Sequence, residues 1–153
     1  MAGKKWISTG DKLIMLLSFS EIQKKVNDLG KSVGIPESDL HIFSPSPGDG
    51  RPHISYDGGL CNYIYAERGV EFFRKTTSSK DELFYWIMSD FIYKVAFQYE
   101  LENRVENRDG RRVAFNKVLD LMGIISDEWR LKAQNEIDDI LAKNPYTDTL
   151  KLK

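Results

Sequence analysis

Between Glu100 and Arg112 the chain sets four carboxylates, Glu100, Glu102, Glu106 and Asp109, among four arginines, Arg104, Arg108, Arg111 and Arg112, with no lysine. The planar arginine fork pairs with a carboxylate through two parallel N–H···O bonds, a geometry that an ammonium group does not match. On a helix Glu100 and Arg104 lie one turn apart, as do Arg104 and Arg108. Glu102 stacks over Glu106, so those two acids need arginines from another helix, such as Arg111 or Arg112. The same spacing carries Glu102 and Glu106 along the stripe of Phe84, Phe91 and Val95, and Glu100 and Arg104 along that of Tyr93 and Phe97. Ionic groups thus enter directions that core side chains occupy. Three readings stand: a solvated helix end, a partly buried network that fixes how two helices meet, and a patch that touches a partner.

Other residues offer less chemistry. Glu67-Arg68-Gly69 closes a β-rich run, where an ion pair either braces a turn or contacts a ligand. His41 and His53 flank a Pro/Gly loop, and no serine or cysteine motif accompanies them. The single cysteine, Cys61, excludes an internal disulfide framework and a Cys-based zinc site. No glycine-rich phosphate loop is present, and neither a cofactor nor a metal is expected. An enzymatic reading would use Glu67 with Glu100, or the two histidines, for metal-dependent work on nucleic acid; the alternating arginines would neutralise such a site. Tyr56, Tyr63 and Tyr65, with Asp49 and Arg51 of the preceding loop, suit protein contact, because tyrosine supplies rigid amphipathic area.

The elements that must position these groups follow from periodicity and capping. A short apolar segment, Lys12–Phe19, leads into a helix whose capping box is Ser20 with Gln23 and whose buried face is Ile22, Val26, Leu29 and Val33. Three prolines and two glycines in residues 44–52 make that stretch a loop. His53–Asp57 and Leu60–Ala66 are strands joined at Gly58-Gly59, two residues suited to a tight hairpin. Val70–Thr76 extends the meander or begins a helix. Ser78 or Ser79 caps a long helix running to about Asn107, apolar nearly all round between Phe84 and Tyr99 and therefore central and buried, with Trp86 and Phe91 as core aromatics. Asp109 caps the next helix, which buries Phe115, Val118, Leu119 and Met122 and ends at Gly123. Ser126 caps the last helix, which faces Ala133, Ile137, Ile140 and Leu141 inward until Asn144-Pro145, and the tail after Tyr146 is expected to fray. The class is α+β: a small antiparallel sheet packed against a C-terminal helical bundle with a long buried central helix.

One hundred and fifty-three residues suit a single domain over 1–153, residues 1–12 being peripheral, that buries roughly 70% of its unfolded surface. The 22 basic residues balance 23 acidic ones, and the balance holds in each third of the chain, so no concentrated positive surface for nucleic acid is expected. The longest apolar run, Leu13–Leu17, is far too short to span a bilayer, and the lysines before it do not make a signal peptide. Location in the cytoplasm is expected, without membrane contact.

From about Leu17 to Pro145 the chain resembles the immunity protein 63 family of bacterial polymorphic toxin systems. The resemblance rests on Gly50-Arg51-Pro52-His53-Ile54, Tyr63-x-Tyr65-x-Glu67-Arg68-Gly69 and Leu83-x-x-Trp86. It continues through Tyr99-Glu100-Leu101-x-Asn103-Arg104, Asp109-x-Arg111-Arg112-x-x-Phe115 and Glu136-Ile137-x-x-Ile140-Leu141-x-x-Asn144-Pro145. It implies a non-enzymatic protein that binds a cognate toxin domain and blocks it inside the producing cell; a regulatory binding module without a toxin is the alternative. A family facing diverse toxins would vary its contact face, so the shared Glu/Arg cluster, with Glu67 and Arg68 counted in it, is expected to hold the fold. The loop Ser44–Arg51 and the face of Tyr56, Tyr63 and Tyr65 are expected to meet the partner.

Overall fold

The computed structural model describes residues 5–9 and 12–148, with side chains from residue 17 onward. The chain divides into two compact units, Met1–Lys31 with Pro36–Met88 and Ser32–Ile35 with Ser89–Lys153. The helix, three-stranded meander and three further helices follow one another in the α+β order that the patterning predicts, and a two-stranded sheet that it does not predict precedes them. The polar flanks of Trp6 lead one to expect exposure, and its side chain lies outside those described.

In the first unit, strands β1 (Lys5–Thr9) and β2 (Lys12–Leu16) pair antiparallel as a two-stranded sheet. Helix α1 (Phe19–Ser32) buries Ile22, Val26 and Gly30 on one stripe. Its capping box lies two residues earlier than the spacing predicts. Ser18 Oγ accepts from Glu21 N–H at 3.1 Å while Glu21 Oε1 accepts from Ser18 N–H at 2.9 Å, so Ser18/Glu21 replaces Ser20/Gln23. The reason is that Gln23 has other work. Its amide donates to Leu40 O at 2.8 Å and accepts from Ile42 N–H at 3.0 Å, which fastens the segment after α1 back onto the helix. Gly30 lets Leu40, fully buried, press against the helix backbone; a Cβ there would overlap the leucine side chain.

Strands β3 (Asp49–Asp57), β4 (Leu60–Glu67) and β5 (Val70–Thr77) form an antiparallel meander in the order β3-β4-β5. Gly58 and Gly59 both take positive φ, 59° and 85°, in the two-residue turn between β3 and β4. Arg68 and Gly69 do the same between β4 and β5, at 53° and 80°. Arg68 tolerates that conformation because its N–H is held by Gly48 O at 3.1 Å. The loop reading of residues 44–52 is corrected at its end: β3 begins at Asp49, and Pro52 is accommodated on an edge strand next to a register shift between Asp49 and Pro52. The undecided run Val70–Thr76 is strand. As the central strand, β4 buries Cys61, Asn62, Tyr63, Ile64 and Ala66 on both faces. Asn62 is satisfied there, donating to Ser55 Oγ at 3.2 Å and accepting from Thr76 Oγ1 at 2.8 Å, a polar row across all three strands.

Helix α2 (Lys80–Glu102) starts in the first unit, where Ser79 Oγ accepts from Glu82 N–H at 3.2 Å and Glu82 accepts from Thr77 Oγ1. Its early turns bury Leu83, Phe84, Tyr85, Ile87 and Met88. Trp86 and Phe91 are only half-buried, which corrects their placement in the core; Lys75 Nζ lies 5.3 Å from the Trp86 ring centre. In the second unit the stripe narrows to Ile92, Ala96 and Glu100, and Phe97, Tyr99 and Leu101 are exposed. The helix stops at Glu102 rather than near Asn107. Asn103 donates its side-chain amide to Tyr99 O at 2.9 Å and its N–H to Glu100 O at 3.1 Å, tightening the last turn, and Asn107 takes a φ of 67° in the connection.

Helices α3 (Gly110–Ile125) and α4 (Asp127–Lys143) complete the second unit. Phe115, Val118, Leu119 and Met122 are buried as the stripe predicts. Gly123 does not end α3; the break comes at Ser126, whose backbone is extended and whose Oγ accepts from Trp129 N–H at 3.2 Å to start α4. On α4, Trp129, Ala133 and Ile137 are buried, whereas Ile140 is exposed and Leu141 half-buried. No helix among the described residues is long and apolar enough to cross a membrane.

Candidate functional site

The charged cluster is assembled around the N-terminus of α3. Glu100 is 4% exposed at the end of the Ile92–Ala96 stripe, and Arg104 grips it through both fork nitrogens, Nε to Oε2 at 2.9 Å and Nη2 to Oε1 at 3.0 Å. The guanidinium holds the carboxyl below its ordinary value. Beneath it lies Gly110, where a Cβ would stand 2.8 Å from the Glu100 carboxyl carbon. A glycine at the first position of α3 thus lets a buried carboxylate rest against the positive end of that helix.

Asp109 next to it caps α3, accepting from Arg111 N–H at 3.0 Å. Its second oxygen accepts from Arg111 Nη2 at 2.9 Å and from Thr147 N–H at 2.8 Å, and these bonds hold its carboxyl well below the carboxylate range. In return Asp109 N–H donates to Asp148 Oδ1 at 2.8 Å. Arg112 forks onto Asp148, with Nε and Nη2 each at 3.0 Å, and its guanidinium carbon sits 4.1 Å from the Tyr146 ring centre. Arg111 spends its remaining donors on Asn144 O and Pro145 O, each at 2.9 Å, the carbonyls of the C-cap of α4 and of the residue after it. Tyr146 stacks against Phe115, which also meets Tyr93 and Phe97 edge-on.

Thr147 and Asp148 are therefore pinned, contrary to the expected fraying after Tyr146; residues 149–153 lie outside the described residues. Arg111 and Arg112 partner Asp109 and Asp148, not Glu102 and Glu106, because the chain leaves the helix before Glu106 can stack on Glu102. Glu102, exposed, accepts from Gln98 instead. Arg108 is exposed and makes no ion pair among the described residues, and neither do Glu67 and Arg68 at the β4–β5 turn. The ion pairs of the cluster among the described residues are Glu100–Arg104, Asp109–Arg111 and Arg112–Asp148. No spacing rule reaches from Asp109 to residue 148.

The expected contact residues divide by exposure. Tyr56 is 40% exposed, Tyr65 is half-buried, and Tyr63 is 3% exposed. Tyr63 lies edge-on to Tyr65 at 5.4 Å between ring centres, so it backs a surface rather than forming one. Asp49 and Arg51 are both exposed and pair with each other, Nη2 to Oδ2 at 2.7 Å, while the Arg51 guanidinium lies 4.6 Å from the Phe43 ring centre. His41 stacks edge-on against Phe43 at 4.5 Å. Sequence reasoning missed the apolar edge of β5, where Val70, Phe72 and Phe73 are more than half exposed and both phenylalanines stack on Tyr65.

For acid–base or metal chemistry the arrangement offers little. Glu100 is committed to Arg104, and burial pushes the Cys61 thiol up to about 12, leaving it neutral. Among the described residues no three of His, Cys, Asp and Glu form a metal-holding group. This is an α+β protein whose ionic cluster binds its own backbone and whose exposed side chains include aromatics and arginines. The profile of the Immunity protein 63 family matches residues 57–139, more than half of the chain, and the chain belongs to that family. The match takes in β4, β5, α2, α3 and most of α4 but not the loop before β3, so it is narrower than Leu17–Pro145. No curated protein and no solved structure matches the chain.

Proposed function

We propose that the chain is a cytoplasmic immunity protein that binds a cognate toxin domain and blocks it without catalysis. Membership of the immunity protein 63 family carries the reading. The placement of the charges supports it: Glu100, one of the two carboxylates that the enzymatic reading needs, is tied to Arg104. Neutralisation of this kind needs about 800 Å² of contact on this side, anchored by aromatic or arginine side chains and rimmed by charge. Tyr56, Tyr65, Asp49 and Arg51, with the loop Ser44–Arg51, meet that description on the first unit, with Tyr63 supporting them from beneath. The Glu100–Arg112 cluster and the anchored tail serve as the brace.

The test is co-expression with the product of the adjacent gene, followed by pull-down. The reading requires that the neighbour be toxic alone, harmless in the presence of this chain, and retained on it. A neighbour that is not toxic, or that stays toxic, refutes it. Tyr56→Ala with Tyr65→Ala should weaken retention at least tenfold while the far-ultraviolet spectrum is unchanged, and unaltered retention would remove this face from the interface.

A further inference from the structure

We infer that the β5 edge is a self-complementary surface through which two copies of this chain associate about a two-fold axis. One side of β5 is bonded to β4 and the other carries no strand among the described residues. Natural edges are usually blunted by charge. Here the middle of the edge exposes Val70 (65%), Phe72 (60%) and Phe73 (51%).

The register makes the pattern symmetric. Val70 lies opposite Glu67, Glu71 opposite Ala66, Phe73 opposite Tyr65, Arg74 opposite Ile64 and Lys75 opposite Tyr63, with Phe72 inserted as a bulge. Val70, Phe73 and Lys75 therefore share the face of Tyr63 and Tyr65, while Glu71 and Arg74 share the other. Phe72 joins the first face, since its ring and that of Phe73 lie 6.3 Å and 5.8 Å from Tyr65. On the opposite face Glu71 and Arg74 reach each other across the bulge at 2.7 Å. Read from Val70 to Lys75, the faces form a palindrome centred between Phe72 and Phe73.

An axis through that centre, normal to the sheet, sets Phe72 against the second copy's Phe73 and Glu71 against the second copy's Arg74, each pair on one face. The two glutamates and two arginines then alternate around the axis, so each charge has opposite neighbours within and between copies. Without the bulge, Phe72 and Phe73 would fall on opposite faces and this axis would match unlike sides. The bulge also interrupts the main-chain ladder at the centre, which leaves the aromatic side chains to hold it. The three apolar side chains expose on the order of 300 Å² per copy, well under the area of a tight complex, so the dimer is weak and concentration-dependent.

The experiment is sedimentation equilibrium on the full chain over a wide concentration range at low salt, with circular dichroism to verify folding. The mass of the wild type should climb toward twice that of the monomer. Glu71→Arg alone and Arg74→Glu alone should each remain monomeric, and Phe72→Glu likewise. An equimolar mixture of Glu71→Arg with Arg74→Glu should recover dimer, because opposite charges then meet only across the axis; an effect confined within one chain gives no recovery. A wild type monomeric at the highest concentration, single variants that dimerise like the wild type, or a mixture that stays monomeric would each overturn the inference. A monomeric wild type whose toxin binding falls tenfold with Phe72→Glu overturns it in favour of the toxin as occupant of this edge.

Discussion

Replacing Asp109 by alanine removes three functions at once: the cap of α3, one partner of Arg111 and the acceptor for Thr147 N–H. Loss of an aspartate cap costs about 1 kcal/mol. The Arg111 pair, part-exposed, adds up to about 1 kcal/mol. The Thr147 bond adds a further ~1 kcal/mol at most, since that amide can turn to water once freed. The sum is about 1–3 kcal/mol, or a fall in Tm of about 2–12 °C for a chain of this size. Asp109→Asn keeps a good cap and an oxygen acceptor and surrenders only the charge, so its loss should be less than half as large. The assay is a thermal melt with hydrogen exchange at the first turn of α3 and at Thr147. Deleting the chain from Thr147 onward should cost less in the Asp109→Ala background than in the wild type, because both changes break the Asp109–Thr147 bonds, whereas the bonds of Asp148 are lost only in the deletion. Additive losses, an alanine variant within 1 °C of the wild type by the ~2–4 °C per kcal/mol scale, or an asparagine variant as damaged as the alanine one would refute the clamp.

Stability should hold as pH falls from 7 to about 5 and drop below about 4. The carboxyls of Asp109, Glu100 and Asp148 are depressed, chiefly by Arg111, Arg104 and Arg112, so the unfolded chain binds protons first. Their contribution is complete above the unfolded values and is lost as pH falls through the folded ones; a midpoint independent of pH between 5 and 2.5, against unfolded values near ~4, would contradict this. Gly110→Ala should lower Tm despite the better helix propensity of alanine, because its Cβ lands on the buried Glu100 carboxyl; overpacking of this sort costs about 1–3 kcal/mol, and a neutral or raised Tm would show that Glu100 yields freely. Cys61, buried with its thiol raised, should react with a thiol reagent at pH 8 at least a hundredfold more slowly in the native chain than in denaturant, and equal rates would refute its burial.

Local signals in the sequence were readable where one short-range force decides the outcome. Gly58-Gly59 specifies its turn through φ alone, and Ser126 and Asp109 specify helix starts through one hydroxyl and one carboxylate. Glu100–Arg104 followed from one-turn spacing. What escaped depended on competition between distant groups. Ser20/Gln23 lost the cap to Ser18/Glu21 because Leu40 and Ile42 claim Gln23. Glu102 and Glu106 were assigned arginines that Asp109 and Asp148 hold, because nothing in the pattern placed the tail beside α3. Tyr63 read as a contact residue because alternation assigns a face without saying whether that face is covered. Val70, Phe72 and Phe73 drew no notice as a surface, because the same residues fit a helix or a strand until β4 pairs with them.

The clamp also imposes an order on the making of the protein. Synthesis proceeds from the N-terminus, and every residue of the first unit has been added once Met88 is in place. That unit can close early. Asp109 and Asp148, by contrast, are 39 positions apart, and their bond waits until both helices between them have been made. A ribosome stalled within α4 would therefore display a finished sheet and, later in the chain, an unlatched helix pair, with Arg111 and Arg112 still lacking Pro145 and Asp148. Nascent chains of graded length should gain protease resistance in two steps, the later one arriving only when residue 148 has left the ribosome.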